Sequence, residues 1–138
     1  MEKSLSGTLA IDLGNTNTVV AFQDQKDINS ILVEIPNITS SPGIIPTAVW
    51  FEEPSKILKI GISALKMQNK ANADLFFHSN FKRLIGNPIE KFPQKKILEP
   101  NKCGEKFFKF LWAKIPQKYE IKRLVLTAPI DTYKGYRE

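Results

Sequence analysis

Cysteine and histidine are almost missing from this chain: Cys103 and His78 are the single copies in 138 residues. A lone cysteine excludes an internal disulfide and fits a reducing compartment. Cys103 has no cysteine or histidine close in sequence with which to build a metal site, so a buried, idle thiol is expected. His78, in Leu75-Phe76-Phe77-His78, reads as a structural or surface residue and not a catalytic one. The net charge is +6, yet the lysines are scattered. There is no arginine-rich stripe and no aromatic interleaving of an RNA-binding kind. The charge reads as solvated surface, with no nucleic-acid partner. No apolar run reaches membrane-spanning length, and Met1-Glu2-Lys3-Ser4-Leu5-Ser6 lacks the basic-then-apolar design of a secretion signal. A soluble cytoplasmic protein with no membrane partner is expected. No internal repeat or low-complexity tract is present.

What the chain does have is concentrated near its start. Leu9-Ala10-Ile11-Asp12-Leu13-Gly14-Asn15-Thr16-Asn17-Thr18-Val19-Val20-Ala21-Phe22 places two apolar, strand-like stretches around a short Gly/Asn/Thr turn. One carboxylate, Asp12, sits where the first strand runs out. Gly14 allows the backbone to approach a ligand closely. The turn can aim backbone N–H groups and small polar side chains into one concavity, which suits phosphate oxygens. Beside a phosphate, Asp12 can hold the water shell of Mg²⁺ and orient an attacking water. A plain β-hairpin whose turn favours Asn and Gly is the alternative reading.

The rest of the chain, 42% hydrophobic overall, suffices for one domain or two small lobes. Ile31-Leu32-Val33-Glu34-Ile35 reads as a third strand beside the hairpin, closed by Pro36. A loop is expected from Asn37 to Pro46. Strands follow at Ile45–Phe51 and Ile57–Gly61, then a helix-compatible stretch from Ile62 to Asn69. Residues 87–101, with three prolines and three lysines, read as irregular surface, and Asn101 is placed to cap the next helix. In that helix Phe107, Phe108, Leu111, Trp112 and Ile115 share one face. Glu105 is one turn from Lys109, and Pro116 ends the run. Lys122 to Thr127 is expected to return as a buried strand.

The hairpin resembles the first phosphate loop of the actin-like ATPase superfamily, which includes sugar kinases, actin and the 70-kDa heat-shock chaperones. Two further segments resemble the chaperones in particular. Phe81-Lys82-Arg83-Leu84-Ile85-Gly86 is similar to their K-R-L-I-G signature. Arg123-Leu124-Val125-Leu126-Thr127-Ala128-Pro129 resembles their strand ending in V-P. Ile45-Pro46-Thr47-Ala48-Val49-Trp50-Phe51 is similar to their T-P-S-Y-V-A-F passage. The resemblance implies an α/β fold: part of an actin-like (ribonuclease-H-like) ATPase lobe, residues 1–39 and 118–138, with a small α+β lobe inserted at 40–117. It implies ATP or ADP with Mg²⁺ as cofactors, and a longer parent protein that couples ATP hydrolysis to the binding and release of unfolded clients, with co-chaperones, in the stress response. The chain would be the N-terminal portion, stopping inside a helix at Tyr133–Glu138 and inactive alone.

Carried over by motif, Asp12 and Lys82 are the catalytic candidates, Asp12 also holding Mg²⁺ through water. Gly14, Asn15, Thr16 and Asn17 are the nucleotide-binding candidates. Asn15 departs from the family, where most members carry Thr with its hydroxyl near the γ-phosphate; hydrolysis is affected by this more than binding. Pro129 and Arg137 match a proline and an arginine at the relay to the partner domain. Two other readings stand beside this one. Asp12 to Thr18 is also close to the D-x-G-N-T-N/R-T opening of type III pantothenate kinases, small-molecule kinases that Asn15 fits better. A non-catalytic interaction module is the third. The family's strand order also places 121–127 beside Leu9–Asp12 as an uncovered apolar edge, so self-association is expected.

Overall fold

The computed structural model describes residues 4–87 and 95–127. Its elements run in the order β1 (Leu5–Leu13), β2 (Asn17–Asp24), β3 (Ser30–Leu32), β4 (Ile44–Pro46), β5 (Ala48–Phe51), β6 (Leu58–Ile60), α1 (Gly61–Leu65), α2 (Ala73–Phe76), β7 (Phe77–Ser79), a 3-10 turn (Lys82–Leu84), α3 (Pro100–Lys114) and β8 (Tyr119–Leu126). The described residues form a mixed α/β structure with two sheets and few helices.

Period-two patterning makes the hairpin. Leu9, Ile11 and Leu13 on β1, with Thr18, Val20 and Phe22 on β2, turn inward, while Asp12 and Gln23 face solvent. The two strands pair antiparallel, with Asp12 opposite Val19. β8 then joins the free edge of β1, the neighbour expected for 121–127, and does so in parallel, Leu9 beside Leu124 and Ile11 beside Leu126. The order is β3-β2-β1-β8, with β4 also on β2; the second sheet is β6-β5-β7. One core joins the sheets and α3, running from Leu9, Ile11 and Phe22 through Val49 and Ile60 to Phe81, Phe107 and Leu111. A smaller cluster gathers around Trp50 and Ala64.

Several sequence expectations are corrected. The third strand covers only Ser30–Leu32; Val33 and Ile35 lie beyond it, buried in the core, although the Val33 N–H still donates to the Val20 carbonyl at 3.1 Å. The 37–46 loop contains β4, and the helix expected over 62–69 is one short piece, Gly61–Leu65. Asn101 caps nothing: α3 starts at Pro100 in the first-turn position that a missing N–H suits. The Asn101 side chain instead accepts from the Gly86 N–H at 2.9 Å. The buried stripe of α3 is Cys103, Phe107 and Leu111 at four-residue spacing, whereas Trp112 is half exposed. The Glu105–Lys109 pair forms at 2.8 Å. The strand expected to be buried, β8, is exposed along most of its length, with Leu124, Val125 and Leu126 among the exposed large apolar residues. Among the described residues no helix is long and apolar enough to cross a membrane.

The two scarce residues are both interior. Burial pushes the Cys103 thiol up to about 12, so the thiolate needed for reaction is absent near neutral pH. His78 on β7 pairs with Val49 and is buried. Burial, with the Lys96 charge as a smaller cause, lowers its pKa to about 4. Lys96 is held by the carbonyls of Phe77 at 2.6 Å and Ala73 at 3.3 Å. A histidine neutral in the fold but protonated in the unfolded chain costs stability as pH falls below its unfolded value. Stability is therefore expected to drop by about 2 kcal/mol between pH 7 and pH 5. The depressed carboxylates Glu105 and Glu120 lose their contribution only at lower pH, as they protonate. Urea midpoints at the two pH values check this, and His78→Phe should flatten the difference; an unchanged slope in that variant would assign the acid sensitivity elsewhere.

Candidate functional site

Asp12 is the penultimate residue of β1, on the face away from the core, and is exposed. Its carboxylate accepts a hydrogen bond of 2.6 Å from the Thr127 hydroxyl, and the Thr127 N–H donates to the Ile11 carbonyl at 3.2 Å. The parallel β1–β8 pairing thus carries Thr127 to the tip of β1 and orients the acid from one side. The other carboxylate oxygen has no side-chain partner among the described residues.

The turn beyond Asp12 closes tightly. A Cβ on Gly14 would stand 2.0 Å from the Asn17 carbonyl oxygen. The glycine is thus required by the turn itself, and not only for access of a ligand. No hydrogen-bond acceptor among the described residues takes the N–H of Asn15 or Thr16. Unclaimed backbone donors grouped in a turn form a concavity that favours anions. Thr16 and Asn17 are exposed, and Asn15 is partly buried. Below them the Thr18 and Thr47 hydroxyls pair at 2.8 Å in the interior. The Thr47 N–H donates to the Thr16 carbonyl at 2.9 Å. These two bonds tie the turn to the start of β5.

Asn15 reaches across to a third segment. Its Nδ2 donates to Asn80 Oδ1 at 3.0 Å, while its own Oδ1 is buried without a partner. Asn80 follows β7 and adopts φ 55°, a left-handed conformation that asparagine tolerates better than most residues. Two residues on, Lys82 opens the 3-10 turn, half-buried and without an ion pair among the described residues. A cavity of about 210 Å³ is lined by Asn15, Thr16 and Asn17 together with Thr47, Ser79 and Asn80.

The structure therefore brings three of the turn candidates into one cavity and sets the segment leading to Lys82 against them. It does not bring Asp12 or Lys82 into that cavity. Thr127 and Asn80 went unassigned in the sequence, because their partners lie 115 and 65 residues away. The sole local signal was an asparagine in the turn before Phe81-Lys82. Pro129 and Arg137 lie outside the described residues.

Among the described residues no three acidic, histidine or cysteine side chains cluster to hold a metal. A lone carboxylate beside unclaimed backbone donors is a donor set suited to a hydrated Mg²⁺ that phosphate oxygens help to bind, not to a protein-caged ion. Comparison with protein-family models and with curated proteins finds no match to this chain.

Proposed function

We propose that this chain forms one wall of an ATP- and Mg²⁺-binding site of the actin-like kind, within a chaperone of the 70-kDa heat-shock type. One observation carries the reading: the unclaimed N–H groups of Asn15 and Thr16 lie in a glycine-closed turn directly after an exposed, oriented Asp12. The strand order β3-β2-β1-β8, with a parallel strand returning to the hairpin after a long crossover, supports the partial actin-like lobe. The separate β6-β5-β7 sheet supports the inserted one. In this reading the turn N–H groups hold phosphate oxygens, Asp12 holds metal-bound water, and Lys82 offsets charge on the terminal phosphoryl. The bound Mg²⁺ supplies charge neutralisation on the phosphates. Client and co-chaperone binding belong to parts of the parent protein outside this chain.

The test is a titration of the chain with ATP, with and without Mg²⁺, followed by backbone amide NMR. Shifts are expected at Asp12–Asn17 at millimolar nucleotide, strengthened by Mg²⁺. Asp12→Asn should remove the Mg²⁺ dependence and weaken binding about tenfold, roughly 1.4 kcal/mol. Lys82→Ala should cost less than that, since its charge acts chiefly on the transition state. Silence of the turn amides at saturating nucleotide would refute the reading and favour the interaction module. No appreciable ATP hydrolysis is expected from one wall alone, because positioning by both walls supplies much of the acceleration.

A further inference from the structure

The bond between Asn15 and Asn80 joins the turn to the segment that carries Lys82. From Asn80 the backbone passes through buried Phe81, which packs edge-on against Phe107 at 6.4 Å. It then enters the 3-10 turn, whose bonds run from the Leu84 N–H to the Phe81 carbonyl at 3.0 Å and from the Ile85 N–H to the Lys82 carbonyl at 3.2 Å. Phe81, directly before Lys82, thus anchors the segment in the core. Asn80, one residue earlier, is bonded to the turn.

We propose that Asn80 is a positioning residue: its side-chain oxygen holds Asn15 and so sets the spacing between the phosphate-type turn and the Lys82 segment. This accounts for the asparagine at position 15. The Asn15 amide spans the gap with its Nδ2, whereas a threonine side chain is shorter and would leave Asn80 without that donor. The acceptor is the Asn80 side-chain oxygen, and the left-handed backbone there costs an asparagine less than most other residues. The functional consequence rests on the nucleotide reading above; the latch itself does not.

The latch is measured first without nucleotide, by hydrogen exchange at Leu84 and Ile85 relative to core amides of β1. Asn80→Gly keeps the left-handed backbone and removes only the side chain. It and Asn15→Ala are each expected to speed exchange at Leu84 and Ile85 about fivefold, the effect of losing one net hydrogen bond. The double variant should exchange no faster than either single one. Asn80→Asp, which keeps an acceptor oxygen, should stay within about twofold of the native chain. Multiplicative effects in the double variant, or unchanged exchange at Leu84 and Ile85 in Asn80→Gly, would overturn the proposal. A second arm adds ATP and Mg²⁺ to the native chain and to Asn80→Gly. The native chain should shift both the turn amides and Lys82–Ile85, and Asn80→Gly the turn amides alone. Equal shifts at Lys82–Ile85 in both would also overturn the proposal. Silent turn amides in the native chain would instead count against the nucleotide reading, with the latch decided by exchange.

Discussion

Gly14→Ala is expected to destabilise the protein by about 3 kcal/mol or more, at the top of the range for an overpacked site. The added Cβ would stand 2.0 Å from the Asn17 carbonyl oxygen and 3.2 Å from its carbon. Both obstacles are backbone, so no side chain can rotate away. Relief requires opening the turn, and opening it breaks the Leu13–Thr18 end of the β1–β2 ladder and drags Thr16 from Thr47. Gly14 carries no positive φ, so contact and not dihedral strain causes the loss. Gly7→Ala is the matched control, with a Cβ 1.9 Å from the Gln23 carbonyl oxygen at the opposite end of the hairpin. It should cost a similar amount of stability, yet its folded fraction should keep the nucleotide response of the turn. Gly14→Ala should lose both. Urea unfolding with amide NMR reads the two effects, and a loss below about 1 kcal/mol would show that the turn can relax.

The second large effect concerns β8. Among the described residues no strand pairs with its outer edge. Leu124 and Leu126 sit in register with core residues Leu9 and Ile11, yet they are 43% and 52% exposed. They face inward, but the core cover ends before reaching them. A strand edge with apolar side chains and free backbone groups favours pairing between chains. Concentration-dependent association is therefore expected. Leu124→Lys combined with Leu126→Lys should raise the dissociation constant about a hundredfold or more, since two leucines lose roughly 1.5–3 kcal/mol of burial each. Sedimentation velocity of the two proteins checks this. A native chain that stays monomeric at high concentration, with β8 amides protected from exchange, would rule it out.

How much of this was legible in advance follows from the range of each interaction. The hairpin was readable because its alternation and its Gly/Asn/Thr turn are local, and β-period patterning leaves one face to bury. The helix is legible in the aromatic spacing and Pro116, although Trp112, expected on the packed face, stands half exposed. Apolar character alone cannot tell a residue near the stripe from one within it, and the burial of Cys103, Phe107 and Leu111 was decided by which elements α3 packs against. The same holds for β8, whose composition suggested an interior strand while its edge position left it open.

The candidate site divides along the same line. Asp12 and the run from Gly14 to Asn17 are contiguous, so residue order by itself determined that a carboxylate, a tight glycine turn and small polar side chains would stand together. What those groups touch was decided by tertiary structure alone. Thr127 reaches Asp12 only because β8 pairs in parallel with β1. Asn80 reaches Asn15 only because β7 ends against the turn. Such contacts join residues whose separation along the chain carries no periodic signal, and their partners are chosen by the packing of whole sheets.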